Sequence, residues 1–147
     1  MLVHQLPSWG AVPLGAHLLP MFWMTFVAVY LYGAGIGALA GLTAPLVNLA
    51  LAGLPALSHQ GVLSTELVAF ALVTAWAVRR WPRVWLAAPL GYVTAKLVSA
   101  LLLAVVEVSG GIAGPVAVLR QSLVNALAGL LVLALINALC VKLAPKR

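Results

Sequence analysis

Long apolar runs separated by short polar joints dominate the chain. Five runs can be read: A from about Leu18 to Tyr32, B from about Ala34 to Leu54, C from about Val62 to Val78, D from about Trp85 to Val106 and E from about Val116 to Lys142. A helix needs roughly 20 apolar residues to cross the hydrocarbon core, and lipid admits only elements whose backbone groups bond to one another. The pattern therefore predicts an all-α, polytopic transmembrane bundle of about five membrane helices, with A short for a span. Gly33 and Gly35 hinge A to B, while Pro55, Pro82, Gly110, Gly111, Gly114 and Pro115 punctuate the later joints. No period of about 20–50 residues marks a repeat array, and no low-complexity linker divides the chain. Residues 1–147 read as a single transmembrane domain.

Composition sharpens this. Hydrophobic residues make up 65% of the 147 and charged residues 7%, against a charged share of about a quarter in soluble domains. Mean hydropathy is +1.16. A secreted disulfide module, a nucleic-acid-binding domain, a disordered tail and an ordinary cytosolic enzyme are excluded. The single cysteine, Cys140, excludes an internal disulfide and a multi-cysteine metal site.

The net charge of +6 matters through its placement. Arg79, Arg80 and Arg83 lie between C and D, and Lys142, Lys146 and Arg147 follow E. By the positive-inside rule both places are cytoplasmic and face anionic headgroups. Trp76, Trp81 and Trp85 flank the first cluster as an interfacial aromatic belt. Alternation then puts the D–E loop, the 54–62 loop and the N-terminal stretch outside, the last without Lys or Arg. The expected address is the bacterial cytoplasmic membrane, multi-pass, with a cytoplasmic C-terminus. Five spans leave the N-terminus outside with no basic signal-peptide region; a helix preceding Met1 would restore a six-span topology.

Polar residues inside the runs are the candidates for function. Lys96 sits near the middle of D, where insertion costs about 2.5–3.5 kcal/mol. Tyr92, Lys96 and Ser99 share one helix face, and Glu107 lies near the same stripe roughly 16 Å further on. Lys96 either snorkels to helix-end carbonyls or meets a bound anion or acidic partner. In E, Arg120 stands about one turn inside the outer end, and Gln121, Asn125 and Gly129 form one stripe. Glu66, near the outer end of C, is at the depth of Arg120, so an ion pair between them is expected. Ser64 and Thr65 read as caps of C. Gly33, Gly37 and Gly41 form a ladder on B that continues to Pro45 and Asn48. Small residues at this spacing let helices approach closely, either within the chain or as a face for docking a partner. Pro45 frees the Gly41 carbonyl and is expected to bend B. Asn48, Thr65, Glu66, Arg120, Gln121 and Asn125, with Lys96 beneath them, are the expected lining of a cavity open to the outside, and Tyr92, on the face of Lys96, is a further expected ligand contact.

Catalytic residues are not expected. No nucleophile–base–acid set, phosphate loop or paired-carboxylate site is present. His4, His17 and His59 all fall in outer segments, which argues against haem ligation within the bundle and leaves no metal site to assign. Neither cofactor nor nucleic-acid partner is implied.

The run Leu19 to Asn48, beginning Leu-Pro-Met-Phe-Trp-Met and turning at Tyr-Gly-Ala-Gly-Ile-Gly, resembles the second and third helices of the substrate-binding subunits (S components) of energy-coupling-factor (ECF) transporters. Ser122 to Gly129, Ser-Leu-Val-Asn-Ala-Leu-Ala-Gly, is similar to the last helix of that family, as is the basic tail. The resemblance implies six helices and a vitamin-sized ligand near the outer face. That ligand would be covered by loops corresponding here to residues 1–17, 54–62 and 107–115. The family's partners are a membrane coupling subunit and ATPases. The departure is the missing first helix, which in the family often carries the face that meets the coupling subunit. The function expected is thus the membrane-embedded binding subunit of a vitamin or micronutrient importer. The alternative is a structural or assembly subunit of a larger respiratory, photosynthetic or morphogenesis complex in the membrane.

Overall fold

The computed structural model describes residues 8–9, 12–13, 18–52, 57–106 and 115–143. Two short strands, β1 (Ser8–Trp9) and β2 (Val12–Pro13), pair antiparallel, with Ser8 opposite Pro13 and Trp9 opposite Val12. Six helices follow: α1 (Pro20–Tyr32), α2 (Ala34–Ala52), α3 (Leu57–Arg80), α4 (Ala87–Val106), α5 (Pro115–Asn125) and α6 (Leu127–Leu143). Apart from the strand pair, the described residues form a helical bundle. Glu107, His4, His17 and most of the expected 1–17 and 107–115 loops lie outside them.

Local chemistry explains where the helices begin and end. Pro20 occupies the first turn of α1, where its missing N–H is no loss. Gly33 ends α1 at φ 88°, a conformation that disfavours any side chain, and its N–H bonds to the Val29 carbonyl at 2.8 Å. α1 and α2 therefore form a tight antiparallel hairpin. α3 starts earlier than the apolar pattern predicts, because Ser58, His59 and Gln60 continue the helix beyond the hydrophobic run. Ser64 and Thr65 are consequently interior to α3 and cap nothing. α2 runs through Pro45 as one helix.

Segment E differs more. It is broken at Ala126 into α5 and α6, which meet at 62°. The Ala126 N–H is shared between the Ser122 and Leu123 carbonyls at 3.1 and 3.2 Å, a tightened last turn that ends α5. Ala126 itself is buried in the core, which holds the corner in place. The hydrophobic period does not register such a bend, since both halves remain apolar.

Among the described residues, two helices are long and apolar enough to cross a membrane, through Ala34–Leu51 and His59–Arg80, or three if the bent α5–α6 pair counts as one span. α1 and the apolar stretch Ala87–Leu102 of α4 are shorter. With 13 residues, α1 is only about 20 Å long. The outer side of α2 exposes Leu39, Leu42, Leu46 and Leu51, as a lipid-facing surface does.

The core lies where α1, α3 and α4 meet, with Leu133 and Ala126 closing it. The Phe22 ring stands edge-on to Phe70 (centroids 5.3 Å apart) and to Tyr92 (4.8 Å). Each such pair contributes about 0.5–1.5 kcal/mol beyond simple burial. In lipid, close packing of this kind, rather than exclusion of water, holds helices together.

Candidate functional site

At the middle of α3 and α4, Glu66 and Lys96 each stand ten residues into their helix. The Lys96 ammonium donates to Glu66 Oε2 at 2.6 Å, with side-chain exposures of 17% for Lys96 and 6% for Glu66. The ammonium also lies 5.8 Å from the centre of the buried Tyr92 ring, within cation–π range. Ser99, one turn further along α4, is buried beside the same stripe. The inward face expected from Tyr92, Lys96 and Ser99 is thus the face the helix buries. The pairing differs from expectation: Glu66 meets Lys96, and Arg120 stays exposed on α5. Depth along the membrane cannot reveal helix rotation. Here α3 packs against α4, which turns Glu66 toward Lys96.

The other candidates are distributed. Asn48 lies in a groove between α1 and α2 that is also lined by Met21, Trp23, Met24, Thr25, Thr43 and Val47, with a volume of about 460 Å³. This groove is largely apolar. The Thr43, Thr65, Thr74 and Thr94 hydroxyls each donate to the carbonyl four residues earlier, at 2.6–2.9 Å. Thr25, buried at 1% exposure, has a hydroxyl that finds no partner among the described residues. On α5, the Gln121 side-chain amide donates to Asn125 Oδ1 at 3.1 Å, and both Gln121 and Arg120 are exposed. Gly129 is buried beyond the bend, so the stripe expected from Gln121 through Asn125 to Gly129 is interrupted at Ala126. Glu66, Tyr92 and Lys96 therefore form one cluster, Asn48 belongs to the α1–α2 groove, and Arg120 and Gln121 sit on an outward surface.

The glycine ladder is used within the chain. A Cβ at Gly37 would collide with the Val29 side chain of α1, and one at Gly41 would lie 2.9 Å from the Leu67 carbonyl oxygen of α3. These two positions are covered by neighbouring helices and offer no docking face. Gly33, whose space is open, marks the hairpin turn. Where α2 meets α3, the Gln60 amide donates to the Pro45 carbonyl at 3.3 Å, and the Ser64 hydroxyl donates to the Leu42 carbonyl at 3.3 Å. Polar groups of α3 thus bond backbone oxygens of α2, at the proline and just before it, and tie the two helices together.

One residue that the sequence pattern passes over is Asn137. It is fully buried, accepts from the Ala88 N–H at 3.0 Å and donates to the Val84 carbonyl at 3.0 Å. It thereby caps an orphan donor in the first turn of α4 and ties α6 to the joint before it. Its only sequence signal is a lone amide in the apolar run Leu130 to Leu139.

Against known protein families, curated proteins and solved structures, the chain has no match.

Proposed function

We propose that the chain is a membrane-embedded binding subunit of a micronutrient importer of the ECF type, set in a bacterial cytoplasmic membrane as a bundle of about five helices with a cytoplasmic C-terminus. It would take a vitamin-like small molecule and rely on a coupling subunit and ATPases for energy. The observation that carries this reading is the Glu66–Lys96 pair beside Tyr92. Ionisable residues at mid-membrane depth are rare and usually mark a ligand or ion path. The Lys96 side chain keeps 17% exposure, and the reading requires an anionic ligand group to approach from that side. The resemblance of Leu19 to Asn48 and of Ser122 to Gly129 to S components supports the same reading.

A second reading, a structural subunit of a larger membrane complex, draws support from two observations. The interior is filled by Phe22, Phe26, Phe70 and Tyr92, and Arg120 and Gln121 face outward. Binding isotherms across vitamins and related metabolites separate the two. The importer reading expects saturable binding to the parent protein that weakens in Lys96→Met. A flat response of the parent across the panel favours the structural subunit.

A further inference from the structure

The joint between α3 and α4 gathers basic and aromatic side chains at one end of the bundle. Arg79, Arg80 and Arg83 are all exposed. Trp76 and Trp81 stack edge-to-face with centroids 5.1 Å apart, both about half exposed, and Trp85 is exposed beside them. The joint is held from two sides. The Val84 N–H bonds the Trp81 carbonyl at 3.0 Å, closing a turn over 81–84. The Val84 carbonyl and the Ala88 N–H are both taken by Asn137 of α6. Lys142, five residues beyond Asn137, lies about 7.5 Å further along the axis toward this end and is exposed.

The acid nearest in the chain is Glu66, thirteen residues before Arg79 and so roughly 20 Å away along α3. It is already paired with Lys96. Three guanidinium groups, two on the last turn of α3 and one in the pinned turn, therefore have no carboxylate to meet among the described residues. Indole rings at the hydrocarbon boundary fix the depth of the turn, and guanidinium forks match phosphate oxygens in two-point contact.

We propose that the Arg79–Arg83 turn, braced by Asn137, is a binding site for the phosphate headgroup of an anionic phospholipid. Asn137 is a positioning residue: it holds the turn and does not touch the lipid. The site differs from a diffuse basic belt because Arg79 and Arg80 stand on the last turn of α3 and the two Asn137 hydrogen bonds hold Val84 and Ala88, directly after Arg83. It stands independently of the importer reading, requiring only that the bundle be embedded in a bilayer.

The test uses the full chain purified in mild detergent. Short-chain phosphatidylglycerol is titrated against short-chain phosphatidylcholine, with indole fluorescence and native mass spectrometry as readouts. Each basic residue at an anionic surface strengthens binding roughly fivefold. The parent should therefore prefer phosphatidylglycerol, and the triple variant Arg79→Gln, Arg80→Gln, Arg83→Gln should lose affinity on the order of a hundredfold. Raising salt should weaken binding to the parent. A triple Lys variant should keep the preference for the anionic lipid while binding less tightly. Asn137→Asp, which cannot donate to Val84, should reduce affinity with the arginines intact. Equal binding of the two lipids by the parent would overturn the proposal. So would undiminished phosphatidylglycerol binding by a folded triple Gln variant. If that variant fails to fold, competition decides: displacement of the lipid by equimolar inorganic phosphate would show a free-phosphate site and overturn the lipid assignment, whereas resistance to it supports the lipid.

Discussion

Lys96→Met is the perturbation whose outcome depends most on the observed pairing. If Lys96 were a lone buried charge, removing it would stabilise the bundle. In the structure its ammonium donates to Glu66 at 2.6 Å, and Glu66 retains only 6% exposure. The substitution therefore strands a carboxylate between α3 and α4. Breaking one side of a buried pair costs about 3–5 kcal/mol, while replacing both partners by apolar groups is often neutral or better. The stranded carboxylate keeps only 6% exposure, so a loss of about 3–5 kcal/mol is expected for the single variant. Glu66→Leu should be similarly harmful, because it strands the ammonium. The double variant Lys96→Met, Glu66→Leu should recover most of the loss. The assay is a double-mutant cycle on unfolding in detergent micelles, read by helicity and by thermal midpoint. Coupling of about 2 kcal/mol or more is expected for residues in direct contact. If the two single losses simply add in the double variant, Glu66 and Lys96 do not act as a pair and the inference from their geometry fails.

Three further outcomes follow from the packing. Gly41→Ala places a methyl group 2.9 Å from the Leu67 carbonyl and should cost about 1–3 kcal/mol by overpacking; a variant that melts with the parent would mean α2 and α3 stand further apart. Asn137→Leu leaves the Ala88 N–H and the Val84 carbonyl without their partner, a loss of about 1–3 kcal/mol per stranded group. It should also speed tryptic cleavage at Arg79–Arg83, and an unchanged cleavage rate would deny Asn137 its bracing role. Thr25→Val removes a buried hydroxyl that has no partner among the described residues and should be neutral or raise the thermal midpoint slightly; a clear drop would reveal a hydrogen bond at that hydroxyl.

The helices were legible in the sequence because apolar runs in a membrane protein are nearly continuous and their joints carry proline and glycine. Gly33 was read as a hinge and serves as one, since a φ of 88° needs a residue without a side chain. The corner at Ala126 was not legible: Asn125, Ala126 and Leu127 contain no breaker, and the bend shows only in three dimensions, where Ala126 is buried in the core. The same limit governs the site. Tyr92, Lys96 and Ser99 lie on a single helix, so the 3.6-residue period was enough to place them on one buried face. Pairing Glu66 with a cation required the mutual rotation of two helices, which no single-helix pattern contains. The glycine ladder signalled close approach correctly, but spacing alone does not say whether the approaching backbone is the chain's own. Asn137 escaped notice because its role depends on the ends of another helix, 49 residues away in sequence at Ala88.

Mass spectrometry of small molecules retained by the full chain purified in mild detergent tests the proposed binding role most directly. The account predicts a co-purifying anionic or zwitterionic metabolite of vitamin size, in stoichiometric amount, depleted in Lys96→Met while the fold persists. Protein that is folded and free of any such molecule, and instead holds another membrane subunit in fixed ratio, would contradict it.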